Sequence, residues 1–157
     1  MKLWRIAAET RTYPATDLSG RGAAKYPGRW NDDGLPVVYS ATTLALAVLE
    51  TAAHVDDAGL PQNRFVVQIE VPEVLWKQRM VLDANTLPAA WCAIPAGSAS
   101  IKIGSAWLQS RSSAILLVPS VIVPEEFVVL INPQHPGASK IKAQAIRPFD
   151  YKRLFRV

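Results

Sequence analysis

The sequence predicts an α+β fold in one domain, and three observations lead there. Strand-like runs outnumber helical ones. The helical stretches cluster early and in the middle instead of following every strand, which argues against a doubly wound parallel sheet. At 157 residues, half of them apolar, the chain holds enough material for one hydrophobic core. No internal repeat is visible, so residues 1–157 read as a single folded unit.

Taken in order, Lys2 to Ala7 alternates, with Leu3, Arg5 and Ala7 on one side and Trp4 and Ile6 on the other, and forms the first strand. Arg5 thus sits in a rigid element, either as a surface arginine or as an anion contact. Thr12 to Gly28 holds Pro14, Gly20, Gly22, Pro27 and Gly28 with no helical or strand period, so a long loop is expected. Loops of that length in a compact domain are uncommon and often functional. Within it, Ser19 to Lys25 is glycine-rich but lacks the spacing of a P-loop or a dinucleotide fingerprint. From Gly28 a turn rich in Asn, Asp and Gly leads into Val37-Val38-Tyr39, and Ser40, Thr42 or Thr43 then caps a helix of Ala and Leu. That helix carries Glu50, one turn after Leu46 and Ala47 and one turn before His54 on the same face. A carboxylate at the edge of an apolar helical face is a candidate site residue.

Arg64 to Val71 is a strand closed by Pro72. Pro72 to Ser100 shows little pattern, with Trp76, Trp91 and Cys92 expected to serve as core or lid. Ile101 to Ser110 reads as a short helix bearing Trp107 and Leu108, weakened by Gly104. Ser113 to Val118 is nearly all apolar, as in a buried central strand, and ends at Pro119, leaving Ser120 just beyond the strand end. Phe127 to Ile131 forms another strand, followed by a turn from Asn132 to Gly137 that Asn132 and His135 shape. Lys140 to Phe149 is the last strand, and the tail from Asp150 to Val157 is expected to pack back through Leu154 and Phe155.

Composition narrows the function classes. Cys92 is the only cysteine, so no internal disulfide forms, and no Cys/His cluster has zinc spacing; a reducing cytoplasm fits, with no metal. The N-terminus has no long apolar segment after Lys2 and does not read as a signal peptide. The apolar stretch from Ala114 to Ile131 is broken by Pro119, Pro124 and Glu125-Glu126, which argues against a membrane span. The net charge of +4 is spread along the chain except for Lys152, Arg153 and Arg156. No nucleic-acid motif accompanies it, and an anionic small molecule or an acidic protein partner accounts for the balance equally well.

An ordered set of blocks then stands out: Leu3-Trp4-Arg5-Ile6, Ser19-Gly20-x-Gly22-Ala23, Gly28-Arg29-Trp30-Asn31-x-x-Gly34-x-Pro36-Val37-Val38-Tyr39, Ala45-x-Ala47-x-Leu49-Glu50, Val118-Pro119-Ser120 and Asn132-Pro133-x-His135-Pro136. Together they resemble the RES-domain toxins over almost the whole chain. The departures are small: Pro27-Gly28 stands where a glycine pair is common, and Phe127-Val128-Val129 replaces a more polar entry into the Asn-Pro motif.

The resemblance implies a mixed, split β-sheet with flanking helices, similar to ADP-ribosyltransferases of the diphtheria-toxin type. It implies the toxin of a bacterial toxin-antitoxin pair that cleaves the nicotinamide–ribose bond of NAD+ as substrate, without a further cofactor. The partner it implies is an Xre-type helix-turn-helix antitoxin, with nucleic acid reached only through that antitoxin. By motif position the family's catalytic arginine, tyrosine, glutamate and serine fall on Arg29, Tyr39, Glu50 and Ser120, and its strand arginine on Arg5. Glu50 would face an oxocarbenium-like ribose. Arg29 and Arg5 would hold the diphosphate by forked, charge-assisted bonds. Tyr39 would lie against nicotinamide and orient it through its hydroxyl, while Ser120 would hydrogen-bond the ribose or the amide. The acceptor stays open among water, phosphate and a protein side chain, the last making a protein ADP-ribosyltransferase. An RNA-binding or RNA-cleaving toxin, suggested by the basic balance and five tryptophans, and a binding protein whose site residues only shape the fold, are the alternatives.

Overall fold

A computed structural model describes residues 1–156. Its strands are β1 (Lys2–Ala8), β2 (Val38–Ala41), β3 (Arg64–Glu70), β4 (Met80–Val81), β5 (Ile115–Pro119), β6 (Phe127–Ile131) and β7 (Lys142–Phe149). Its helices are α1 (Arg21–Lys25), α2 (Leu44–Ala52), α3 (Glu73–Lys77), α4 (Ser98–Ser110) and α5 (Tyr151–Phe155), with 3₁₀ turns at Ala89–Cys92 and Ala138–Lys140. The strands form one sheet in the order β4-β5-β6-β2-β1-β3-β7. The β4–β5 pair is parallel and the others are antiparallel, so the sheet is mixed.

The sheet is also split. β1 pairs with β3 along its whole length, from Lys2↔Glu70 to Ala8↔Arg64, and β2 pairs with β6 from Val38 to Ala41. Between β1 and β2, by contrast, the register holds only Trp4↔Ala41. The two half-sheets therefore diverge past this point, and Arg5 is the first β1 residue at the opening.

Strand alternation sorts the core into two faces. Leu3, Ala7, Val38, Val67, Ile115 and Val129 share one face, joined by Ala15 of the loop after β1 and Leu75 of α3. On the other face α2 sets Leu46 and Ala47 over Ile6, Ala41 and Val66, while Trp107 and Leu108 of α4, with Trp30 and Trp91, cover Leu116, Val118, Val128 and Leu130. These two clusters are separate, and the site described below lies where they meet.

Several expectations are met and several corrected. Thr43 caps α2, its hydroxyl oxygen accepting from Leu46 N at 3.1 Å. β5 is buried at every position, as a continuous apolar run requires. The loop expected from Thr12 to Gly28 contains α1, a five-residue helix too short to show a period, entered through Gly20 at φ 72°. In the stretch without pattern after Pro72 lie α3, the two-residue β4 and a 3₁₀ turn; Trp91 is core, whereas Cys92 is exposed. α4 begins at Ser98 rather than Ile101, because its first residues are Ser and Ala and carry no apolar repeat. The tail docks through Tyr151, which meets Phe149 edge-on at 4.8 Å, and not through Leu154 and Phe155, which are 43% and 45% exposed. Val157, the end of that tail, lies outside the described residues. Among the described residues no helix is long and apolar enough to cross a membrane.

Gly104 lets α4 lie directly on the loop before β2, since a Cβ there would enter the carbonyl oxygen of Trp30. Backbone cannot yield as a flexible side chain can. Gly104→Ala is therefore expected to lose at least ~2 kcal/mol by overpacking, despite the better helix propensity of alanine, as read by denaturant unfolding.

Candidate active site

Ser120 is the first residue after β5, and the loop from it to Glu126 closes on itself through Ser120 N donating to Glu126 O at 2.9 Å. The Ser120 hydroxyl accepts from Ile122 N and from Val123 N, each at 3.1 Å, and donates to Glu50 Oε1 at 2.5 Å. A hydroxyl has one proton and two lone pairs. All three are committed, and the residue is 1% exposed. The structure thus gives to Glu50 the bond expected to reach the nicotinamide ribose or amide. Glu50 stands in the last turn of α2, on the side of the buried Leu46 and Ala47. Among the described residues no hydrogen bond engages Glu50 Oε2.

A second set of bonds organises the wall formed by Gly28 to Tyr39. Its centre is Asn31, fully buried, which sequence reasoning treated as a turn residue. Asn31 Oδ1 accepts from Gly28 N at 2.8 Å and from the Tyr39 hydroxyl at 2.7 Å, and Nδ2 donates to Ala23 O at 2.8 Å and Leu35 O at 3.1 Å. The Tyr39 hydroxyl also accepts from Trp30 N at 3.0 Å. Burial pushes this phenol well above its ordinary pKa, partly offset by the Trp30 N–H and the Arg29 charge, so it stays protonated and donating. This hydroxyl, expected to orient nicotinamide, bonds Asn31 Oδ1 and Trp30 N here. Gly28 has no side chain because a Cβ would stand 2.7 Å from the Tyr39 ring. An asparagine in a turn rich in Asp and Gly looks like an ordinary turn former, so its inward aim leaves no signal in the sequence.

Arg29 leaves this wall and donates from Nη1 to Trp91 O at 3.0 Å and to Ala93 O at 2.7 Å. It ties the 3₁₀ turn and the following segment to the site wall, and Trp30 stacks on Trp91 with ring centroids 6.2 Å apart. Arg5 leaves β1 on the side of Leu3 and Ala7, where Nη1 donates to Asp17 O at 3.2 Å. Burial lowers its pKa, and the Asp17 charge opposes that shift. The structure therefore joins Glu50 to Ser120 and sets Arg29 near Tyr39, while Arg5 bonds a separate loop. Asn132 and His135 shape their turn as expected: Asn132 Oδ1 accepts from Gln134 N and His135 Nδ1 accepts from Gly137 N. Among the described residues no group of His, Cys, Asp and Glu is placed to hold a metal ion.

Comparison with known proteins bears on this geometry. The family profile described as RES domain matches residues 2–153. A protein named Prs ADP-ribosylating toxin, from Sphingobium sp. (strain YBL2), is 53% identical over 148 residues, covering 94% of this chain and 92% of that one. A protein named Toxin Res, from Yersinia enterocolitica, is 39% identical over 135 residues and covers 86% of each chain. Among solved structures, a chain from the crystal structure of the M. tuberculosis MbcT-MbcA toxin-antitoxin complex matches with a TM-score of 0.62 at 18% identity, covering 99% of this chain and 89% of that chain. This last likeness is one of fold.

The Tyr39 hydroxyl bonds lead to a stability prediction. Tyr39→Phe keeps the ring but leaves Trp30 N without its acceptor, and is expected to cost about 1–3 kcal/mol in denaturant unfolding. Unchanged stability would mean that the hydroxyl is not part of the scaffold.

Proposed function

The chain belongs to the RES domain family, and from that premise we propose that it is the toxin of a bacterial toxin-antitoxin pair and consumes NAD+ by breaking the nicotinamide–ribose bond. The observation that carries the reading is the 2.5 Å bond between Ser120 and Glu50, which joins residues from two distant parts of the chain. Nicotinamide leaves NAD+ as a neutral molecule, so the cleavage needs no general acid. What requires stabilisation is the positive charge that develops on the ribose. Ser120 fixes one oxygen of Glu50, and the other is left to accept a ribose hydroxyl and face that charge. Ser120 acts here as a positioning residue.

Arg29 uses Nη1 on two carbonyls and keeps Nε and Nη2 for the diphosphate. Arg5, expected to share the diphosphate, points from β1 to the opposite sheet face and bonds Asp17 O, so we give it no substrate contact. Tyr39 contributes its ring, anchored through its hydroxyl by the Asn31 bond. A second reading, transfer of ADP-ribose to a protein, is favoured by the relative at 53% identity that is named for ADP-ribosylation. The two readings share every step up to the choice of acceptor. A protein partner is supported by the toxin-antitoxin complex of the fold neighbour. We assign it as an Xre-type antitoxin, one segment of which covers the cleft and sets an acidic group against Arg29.

The deciding experiment incubates the purified protein with NAD+ and follows nicotinamide release with and without phosphate, alongside labelling of cell protein by radioactive NAD+. Release is expected, and absence of both release and labelling would remove the enzymatic reading. Glu50→Gln is expected to lower kcat at least about 100-fold while the protein stays folded. Ser120→Ala is expected to lower kcat about 10- to 100-fold with little change in KM, the pattern of a displaced carboxylate and not of a lost substrate contact.

A further inference from the structure

We propose that a groove on the far side of α2 from the Glu50–Ser120 pair docks an acidic protein segment bearing an apolar side chain. The groove lies between α2, the end of β7 and α5, with a volume of about 470 Å³. Val48, Pro148, Phe149 and Leu154 give it apolar walls, and Arg147, Arg153 and one carboxylate, Asp150, line it beside them. By sheet order, β7 and β3 lie on one side of α2 and β6 and β5 on the other, so the groove and the Glu50 site do not overlap.

A bulge builds this surface. Val67 pairs with Ala145 and Val66 with Arg147, so Ile146 is an extra residue in β7. Without it, Ile146 would oppose Val66. Val66 belongs to the cluster beneath α2, and its cross-strand partner shares that face; the bulge thus turns an arginine toward α2 and leaves Ile146 46% exposed elsewhere. The charge is concentrated as well: residues 147–156 hold Arg147, Lys152, Arg153 and Arg156 against the single carboxylate of Asp150, within a chain whose whole excess is +4. Asp150 is itself engaged, its Oδ1 accepting from Lys152 N at 3.0 Å, and Arg147 Nη1 donates to Pro148 O at 3.2 Å. Among the described residues the one ion pair is Lys77 with Glu73, far from this surface, so these cations have no carboxylate partner there. Cations at the rim of a small apolar groove match a peptide whose acidic residues flank a leucine or similar side chain. A nucleic-acid duplex would not use the concave apolar floor.

The test labels the full chain, as its Glu50→Gln variant, with ¹⁵N and titrates it with a synthetic peptide of sequence Glu-Leu-Glu-Asp-Leu-Leu, and separately with a single-stranded RNA of similar charge. The peptide is expected to shift the amides of Val48, Arg147, Phe149 and Tyr151 to Leu154, with affinity falling as salt rises. Substituting both arginines, as Arg147→Glu with Arg153→Glu, is expected to weaken it at least about tenfold, and both positions are exposed enough to leave folding intact. No shifts in this region, affinity unaltered by the charge reversal, or RNA binding there more tightly than the peptide would each overturn the proposal.

Discussion

A sheet joined across its middle by the single pair Trp4↔Ala41 lacks a ladder where it most needs one. The two halves have to be held by other means, and α2 does this. Leu46 and Ala47 pack on Ile6 and Val66 of one half and on Ala41 of the other, so the burial of this short helix bridges the split. The loop leading into α2 is drawn from β2, and Thr43 fixes its first turn. Glu50, near the end of the same helix, then reaches across to Ser120 beyond β5. The proposed catalytic carboxylate is thus mounted on the clamp that closes the sheet. Its position is set by core packing, which is stiffer than any loop.

The wall formed by Gly28 to Tyr39 is rigid for a different reason. Asn31 is fully buried and engages Gly28, Tyr39, Ala23 and Leu35, turning a loop into a small polar lattice. Such a network is costly if any member is unmatched and specific when all are matched. Gly28 is required by the passage of the Tyr39 ring, and Gly104 by the contact of α4 with Trp30, so two glycines far apart in sequence serve one wall. Arg29 extends the lattice to the segment around Trp91, which couples the proposed diphosphate-binding side chain to the ordering of that segment.

What the amino-acid sequence revealed follows from length scales. β5 and β6 were legible because burial on both faces leaves an unbroken apolar run, and α2 because a capping threonine precedes an Ala and Leu stretch. α1, α3 and β4 have too few residues for any period to emerge. The bulge at Ile146 was invisible because its effect is on register, a property of two strands together. Glu50 and Ser120 were legible as candidates through family blocks, but their bond spans 70 residues of sequence and only the fold brings them together. The bond of the Tyr39 hydroxyl to Asn31 is hidden for the same reason, since an asparagine in that turn resembles an ordinary turn former.

The choice of partner for Glu50 has a chemical consequence. A carboxylate could be held equally firmly by an arginine or a lysine, and each would also cancel its charge. Ser120 holds it with a neutral hydroxyl, whose own orientation is fixed by two backbone N–H groups. The negative charge is thereby kept for the cationic ribose of the proposed reaction. Arg29 is bound to backbone carbonyls and not to the carboxylate, which preserves the same separation from the other side. Were Arg29 to pair with Glu50, the site would gain a salt bridge and lose both its counter-charge for ribose and its cation for the diphosphate. The arrangement of bonds thus fixes both charges of the proposed site with neutral groups and keeps them for the proposed substrate.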